Sequence, residues 1–201
     1  MDTVTYRRSK AYDPVLRLIH WTLVVVILCL FGTELSEDLF AKGPARESLW
    51  HVHVFAGYVF AGTLGLRLLW GMVGARHARW SDFWHPAVWL RREKADANAF
   101  GHDQWASLAY LGLYAVLLGM VATGFIAAAG WFDLGPLAGR GITKDWAHGF
   151  KEIHEVAANL ILAFILVHVG ALIFHERRGA PLAQAMVSGW QYRPLPDDKQ
   201  P

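Results

Sequence analysis

Four stretches long and apolar enough to cross a bilayer constrain this chain more than any other feature: residues 15–33, 49–73, 105–129 and 153–174. A hydrocarbon core of roughly 30 Å takes about 20 residues of helix. Lipid offers no hydrogen bonds, so each stretch must satisfy its own backbone, which a helix does and an open strand does not. Charge within them is sparse, with Arg17 at the mouth of the first, Arg67 near the end of the second, none in the third and Glu155 at the start of the fourth. The first run is long and lacks a small-residue cleavage site, so it reads as a retained helix rather than a signal. The expectation is an all-α integral membrane four-helix bundle, one domain over residues 1–201, with a loosely ordered, proline-bearing tail from about 179 to 201. An apolar content of 54% and ten tryptophans agree with a membrane solvent.

Lys and Arg are distributed unevenly between the connections. Arg7, Arg8 and Lys10 precede the first span; Arg76, Arg79, Arg91, Arg92 and Lys94 follow the second; Arg177, Arg178, Arg193 and Lys199 follow the fourth. The first connection carries only Lys42 and Arg46. By the positive-inside rule both termini and the second connection are cytoplasmic, as in a multi-pass protein of a bacterial inner membrane. That second connection interleaves Trp80, Phe83, Trp84, Trp89 and Leu90 with basic residues, a composition suited to a segment lying in the lipid interface.

Several chemistries are excluded. The single cysteine, Cys29, rules out disulfide frameworks, cysteine-held iron–sulfur clusters and covalent haem attachment. His154-Glu155 and His175-Glu176 begin like a zinc-protease helix, but Ala158 and Gly179 stand where the second ligand belongs. A nucleic-acid groove has no place on a chain mostly buried in lipid.

Among ten histidines, depth is what distinguishes four. His20, His53, His154 and His168 fall inside spans, where polar side chains face an interior partner or cofactor. His154 and His168 are fourteen residues apart, hence on one helix face and roughly 21 Å apart along the axis. His20, near the inner start of the first helix, is level with His168; His53, near the outer start of the second, is level with His154. Two cross-helix pairs at two depths suit two noncovalent b haems, each six-coordinate between imidazoles and therefore fitted to electron transfer. His51 is the rival to His53 should the helix be rotated. Arg67, fourteen residues beyond His53, points to the same face at the inner level, where it either pairs with a haem propionate or snorkels to the interface. Gly57 and Gly71, one turn beyond His53 and Arg67, keep that face slim. His77, His85, His102, His148 and His175 lie at the surface or interface, and His148 and His175 are candidates for proton transfer to a quinone.

The residues resemble the prokaryotic cytochrome b561 family, which includes b-type cytochrome subunits of nickel–iron hydrogenases. The likeness runs over nearly the whole chain. It is carried by Tyr12-Asp13-Pro14-x-x-Arg17-x-x-His20-Trp21, His53-x-x-x-Gly57, Arg67-x-x-Trp70-Gly71, and Ala78-Arg79-Trp80-Ser81-Asp82-Phe83. Gly101-His102, Thr123-Gly124, the His154 and His168 pair, and Ala185-Met186-x-x-Gly189 complete it. The resemblance implies a four-helix bundle with two b haems, His20 with His168 on the inner iron and His53 with His154 on the outer, reacting with the quinone pool.

Three functions follow as expectations. The first is a membrane electron carrier between quinone and a protein redox partner. A second is a stand-alone quinone oxidoreductase, such as a superoxide:quinone oxidoreductase, with Arg140, Lys144 and Lys151 attracting the anion at the outer face. The third is a haem-free metal-ion transporter. Trp146, His148 and the Trp80 to Trp89 segment are the candidates for a quinone site.

Overall fold

The computed structural model describes residues 6–91 and 106–194. The fold is all-α in its main elements, with four long apolar helices and, among the described residues, one short two-stranded sheet. In chain order these are β1 (Tyr6–Lys10), α1 (Pro14–Leu35), α2 (Pro44–Val73), α3 (Pro86–Arg91), α4 (Ala106–Phe132), α5 (Lys144–Arg177), α6 (Ala183–Ser188) and β2 (Trp190–Pro194). Helices α1, α2, α4 and α5 have the length and composition of membrane spans.

Local chemistry sets where the helices begin and end. Proline is the first residue of α1, α2 and α3, where its missing N–H removes nothing and its fixed φ favours the first turn. Asp13 caps α1 by accepting the Leu16 N–H at 3.0 Å, and Thr143 caps α5 by accepting the Trp146 N–H at 3.3 Å. At the far end of α4 the chain turns out of the helix at Asp133, whose φ of 50° is left-handed and whose Oδ1 accepts the Gly139 N–H at 2.7 Å.

Two of these helices begin well before their apolar stretches. α2 starts at Pro44 rather than Leu49, and α5 at Lys144 rather than Ile153. The additional turns are polar, and an i,i+4 pair between Lys151 and Glu155 lies on the first turns of α5. Trp105, the expected start of the third span, and His102 lie outside the described residues.

The chain divides into two compact units. The first comprises Met1–His20, Arg67–Gly112 and Ile165–Pro201. Its core is Ala11, Tyr12, Leu16, Ala78 and Ala185, with Trp70 and Met186 packed against them. Asp13 serves twice here, since both its carboxylate oxygens also accept the Trp70 indole N–H at 3.2 Å. Arg17 donates from Nη1 to the Val187 carbonyl, and the Ala11 and Tyr12 amides donate to the Gly189 carbonyl at 2.9 and 3.2 Å. Gly189 ends α6 with φ of 85°, and a Cβ there would lie 2.7 Å from the Tyr12 carbonyl oxygen. Only glycine fits both demands.

Within the tail expected to be loosely ordered, 179–201, the described residues include two regular elements. After Gly179 the chain forms α6 and then β2, which pairs antiparallel with β1 from Lys10↔Trp190 to Tyr6↔Pro194. The polar composition that suggested disorder is that of an edge-paired strand whose partner lies at the opposite end of the sequence. Residues 195–201, with Pro196 and Pro201, are outside the described part.

The second unit comprises Trp21–Leu66 and Leu113–Phe164. Its buried side chains include Val26, Val54, Phe60, Leu64, Leu117 and Ile161. Arg46 and Glu37 form an ion pair in the first connection.

Candidate functional site

The structure brings together the histidines that sequence depth pairs. His20 and His168 lie in the first unit, within electrostatic range of one another; His53 and His154 do the same in the second. All four side chains are half-buried. Among the described residues no cluster of three or more His, Cys, Asp or Glu side chains is found. A pair of imidazoles could hold a haem iron, to which it would supply both protein ligands.

His53 sits on α2 between two neighbours. The Trp50 ring meets it edge-on at 5.4 Å between centroids, and Thr33 Oγ1, on α1, lies 2.8 Å from its Nδ1. That hydroxyl donates to the Leu30 carbonyl, also at 2.8 Å. His154 on α5 has the same surroundings from α4. Thr123 Oγ1 lies 3.0 Å from its Nδ1 and donates to the Gly119 carbonyl at 2.8 Å, with the Met120 carbonyl at 3.1 Å. Gly124 lets the His154 ring approach, since a Cβ there would lie 3.1 Å from Cε1. A Cβ at Gly57, one turn beyond His53, would meet nothing within 4 Å, which leaves that face slim enough for a flat macrocycle. With Nδ1 engaged on both rings, Nε2 is the nitrogen left for a metal, the arrangement seen around ligating histidines. The residues of this unit fit a haem.

In the first unit His168 Nδ1 lies 3.4 Å from the Tyr110 hydroxyl. The Tyr110 ring meets His168 at 6.3 Å and Phe83 at 6.1 Å and 88°. Phe83 is 2% exposed. Arg67 packs beside it with its guanidinium 5.7 Å from the Phe83 ring and 5.2 Å from the Trp80 ring, and it donates to the Ala78 carbonyl at 3.1 Å. At 4% exposure Arg67 does not snorkel to water. The segment after α2, two 3-10 turns at Arg76–Ala78 and Trp80–Asp82, folds over the guanidinium instead. Gly71 contributes here, and not as a slim face for a macrocycle: the Trp80 indole occupies the place a side chain would take. That indole donates to the Leu68 carbonyl at 3.2 Å.

The other histidines among the described residues fall where surface chemistry accounts for them. His51 is exposed and packs edge-on against Phe132 at 6.0 Å, so His53 and not His51 is the interior ring. His77 pairs with Asp82 at 3.1 Å, and the Asp82 carbonyl lies 2.9 Å from His85 Nε2. His148 lies 3.7 Å from Glu152, and His175 packs against Phe174. Trp146 is exposed, meets Phe150 in a tilted arrangement at 4.8 Å between centroids, and lines a shallow cleft with Arg140, Gly141, Ile142 and Thr143. The cations that suggested an anion funnel are partly engaged. Lys151 is paired with Glu155, and Lys144 stands over the Trp131 ring at 5.7 Å.

Thr33, Thr123 and Tyr110 escape a reading by helical spacing, because each meets its histidine across helices. Depth was the available signal: Thr33 closes the first span at the level where His53 opens the second.

Comparison with known proteins agrees in kind. The family model described as prokaryotic cytochrome b561 matches residues 11–189. A probable Ni/Fe-hydrogenase B-type cytochrome subunit of Azotobacter vinelandii is 29% identical, covering 94% of this chain and 89% of its own length. The probable Ni/Fe-hydrogenase 1 B-type cytochrome subunit of Escherichia coli (strain K12) is 26% identical over 57% of each chain. The corresponding probable subunit of Bradyrhizobium diazoefficiens is 23% identical over 89% of this chain and 83% of its own.

Proposed function

Because the chain belongs to the prokaryotic cytochrome b561 family, we propose that it carries electrons between the quinone pool and a protein redox partner by way of two bis-histidine b haems. It is a multi-pass protein of the bacterial inner membrane and a membrane-associated electron-transfer protein of that family. The inner haem is held by His20 and His168 with Arg67 nearby, and the outer by His53 and His154. Cytoplasmic termini follow from the distribution of Lys and Arg.

The observation that carries this reading is the segregation of the two histidine pairs, one into each compact unit, with a hydroxyl on Nδ1 of three of the four rings. When bound, a haem between two imidazoles supplies one-electron chemistry without an open coordination site. The protein's part is to bury the ligands, hold their ring planes and exclude water. Similarity to hydrogenase cytochrome subunits over 94% of the chain supports a protein redox partner.

The test is a haem count on purified protein with a dithionite-reduced minus oxidised spectrum. Two b haems per chain are expected, with His168→Ala and His53→Ala each losing one and keeping the other. Protein without a reducible b-type spectrum would remove haem from the reading, and variants that keep both haems would undo the ligand pairs.

A further inference from the structure

Thr33 and Thr123 stand in the same relation to the two histidines of the second unit, and hydrogen-bond logic fixes what that relation is. A hydroxyl has one proton. Leu30 O and Gly119 O, each 2.8 Å from a threonine Oγ1, accept only, so they take that proton; otherwise two acceptors would face each other at contact distance. The proton between Oγ1 and Nδ1 must then come from the imidazole. Thr33 is 8% exposed and Thr123 6%, so water does not compete for either hydroxyl.

We propose that Thr33 and Thr123 are positioning residues that hold His53 and His154 as their Nδ1–H tautomers, aim both Nε2 atoms at one iron, and set the potential of the outer haem. The inference rests on the ligand reading above. Two threonines on α1 and α4 thus anchor ligands on α2 and α5, so each imidazole is referenced to the backbone of a neighbouring helix rather than to its own. Donation from Nδ1–H to an acceptor raises the electron density that Nε2 offers a metal, which favours the ferric state. Removing the acceptor favours the ferrous state.

The experiment compares Thr33→Val, Thr123→Val and the Thr→Ser variants in detergent-purified holoprotein, by redox titration of the haem bands and by electron paramagnetic resonance of the ferric state. Each valine variant is expected to raise one midpoint by up to about tenfold in the ferric-to-ferrous balance, or about 59 mV for one electron, and to shift one set of low-spin g-values. The other haem stays unchanged, and serine restores the original values. Midpoints and g-values unmoved by valine would overturn the proposal. In wild-type protein, pulsed resonance should detect an exchangeable proton on Nδ1 of both outer ligands. Its absence would overturn the proposal even if the valine variants failed to fold. His53→Ala separates the two levels of inference: if it removes a haem while valine changes nothing, only the threonine proposal fails. If it removes none, the ligand assignment itself is wrong.

Discussion

Asp13 holds the Trp70 indole N–H between its two carboxylate oxygens, 3.2 Å from each, while the same side chain caps α1. One residue therefore ties the start of the first span to the end of the second. Asp13→Ala should lower stability by about 2–3 kcal/mol, combining a lost cap of about 1 kcal/mol with an indole donor left without its acceptor. Asp13→Asn keeps an acceptor at both places and should stay within about 1 kcal/mol of wild type. Thermal unfolding in detergent decides it, and equal losses for Ala and Asn would show that charge rather than geometry matters.

Gly71 is required by a side chain and not by backbone conformation. A Cβ at this position would overlap the Trp80 indole. Gly71→Ala should therefore destabilise by about 1–3 kcal/mol through overpacking. Trp80→Leu in the same chain should recover part of that loss, because the two sites are in contact and their effects do not add. Additive losses in the double variant would point away from the indole.

Arg67 brings a buried cation to the unit that contains His20 and His168. A positive charge favours the state that has gained an electron, so Arg67→Met should lower the midpoint of the inner haem and leave the outer one in place. Arg67→Lys should fall between, since it keeps the charge but not the fork that reaches the Ala78 carbonyl. Redox titration reads both. An inner midpoint that does not move in Arg67→Met would confine the guanidinium to its carbonyl and ring contacts.

His51 provides the control for the ligand assignment. Its ring packs on Phe132 and is exposed, whereas His53, two residues on, faces Thr33. His51→Ala should leave haem content and both absorbance bands as in wild type. Loss of a haem from this variant would exchange the roles of the two histidines.

How much of this was legible in the sequence depends on the range of the interaction. The four spans were readable because length and apolarity are local properties. Their polar extensions at Pro44 and Lys144 were not, since a helix that has left the hydrocarbon no longer carries an apolar signature. The histidine pairs were visible from depth, which needs only residue counting along each span. Thr33 and Thr123 were not, because an isolated threonine in a span more often bonds its own preceding turn, as both do, and nothing in the chain reveals that the same oxygen also faces an imidazole. The order of β2 is illegible for a similar reason. β2 has no partner near it in sequence, and the one that orders it is β1.

The pairing of β1 with β2 also constrains how the protein can be made. β1 precedes all four spans in the chain and β2 follows them, so this sheet can close only after all four spans have been synthesised. Until α6 has been made, Trp70, Ala78 and the mouth of α1 lack the packing that Ala185 and Met186 provide. Pairing of β1 with β2 is thus a late step in folding, one that a chain truncated before Gly189 never reaches.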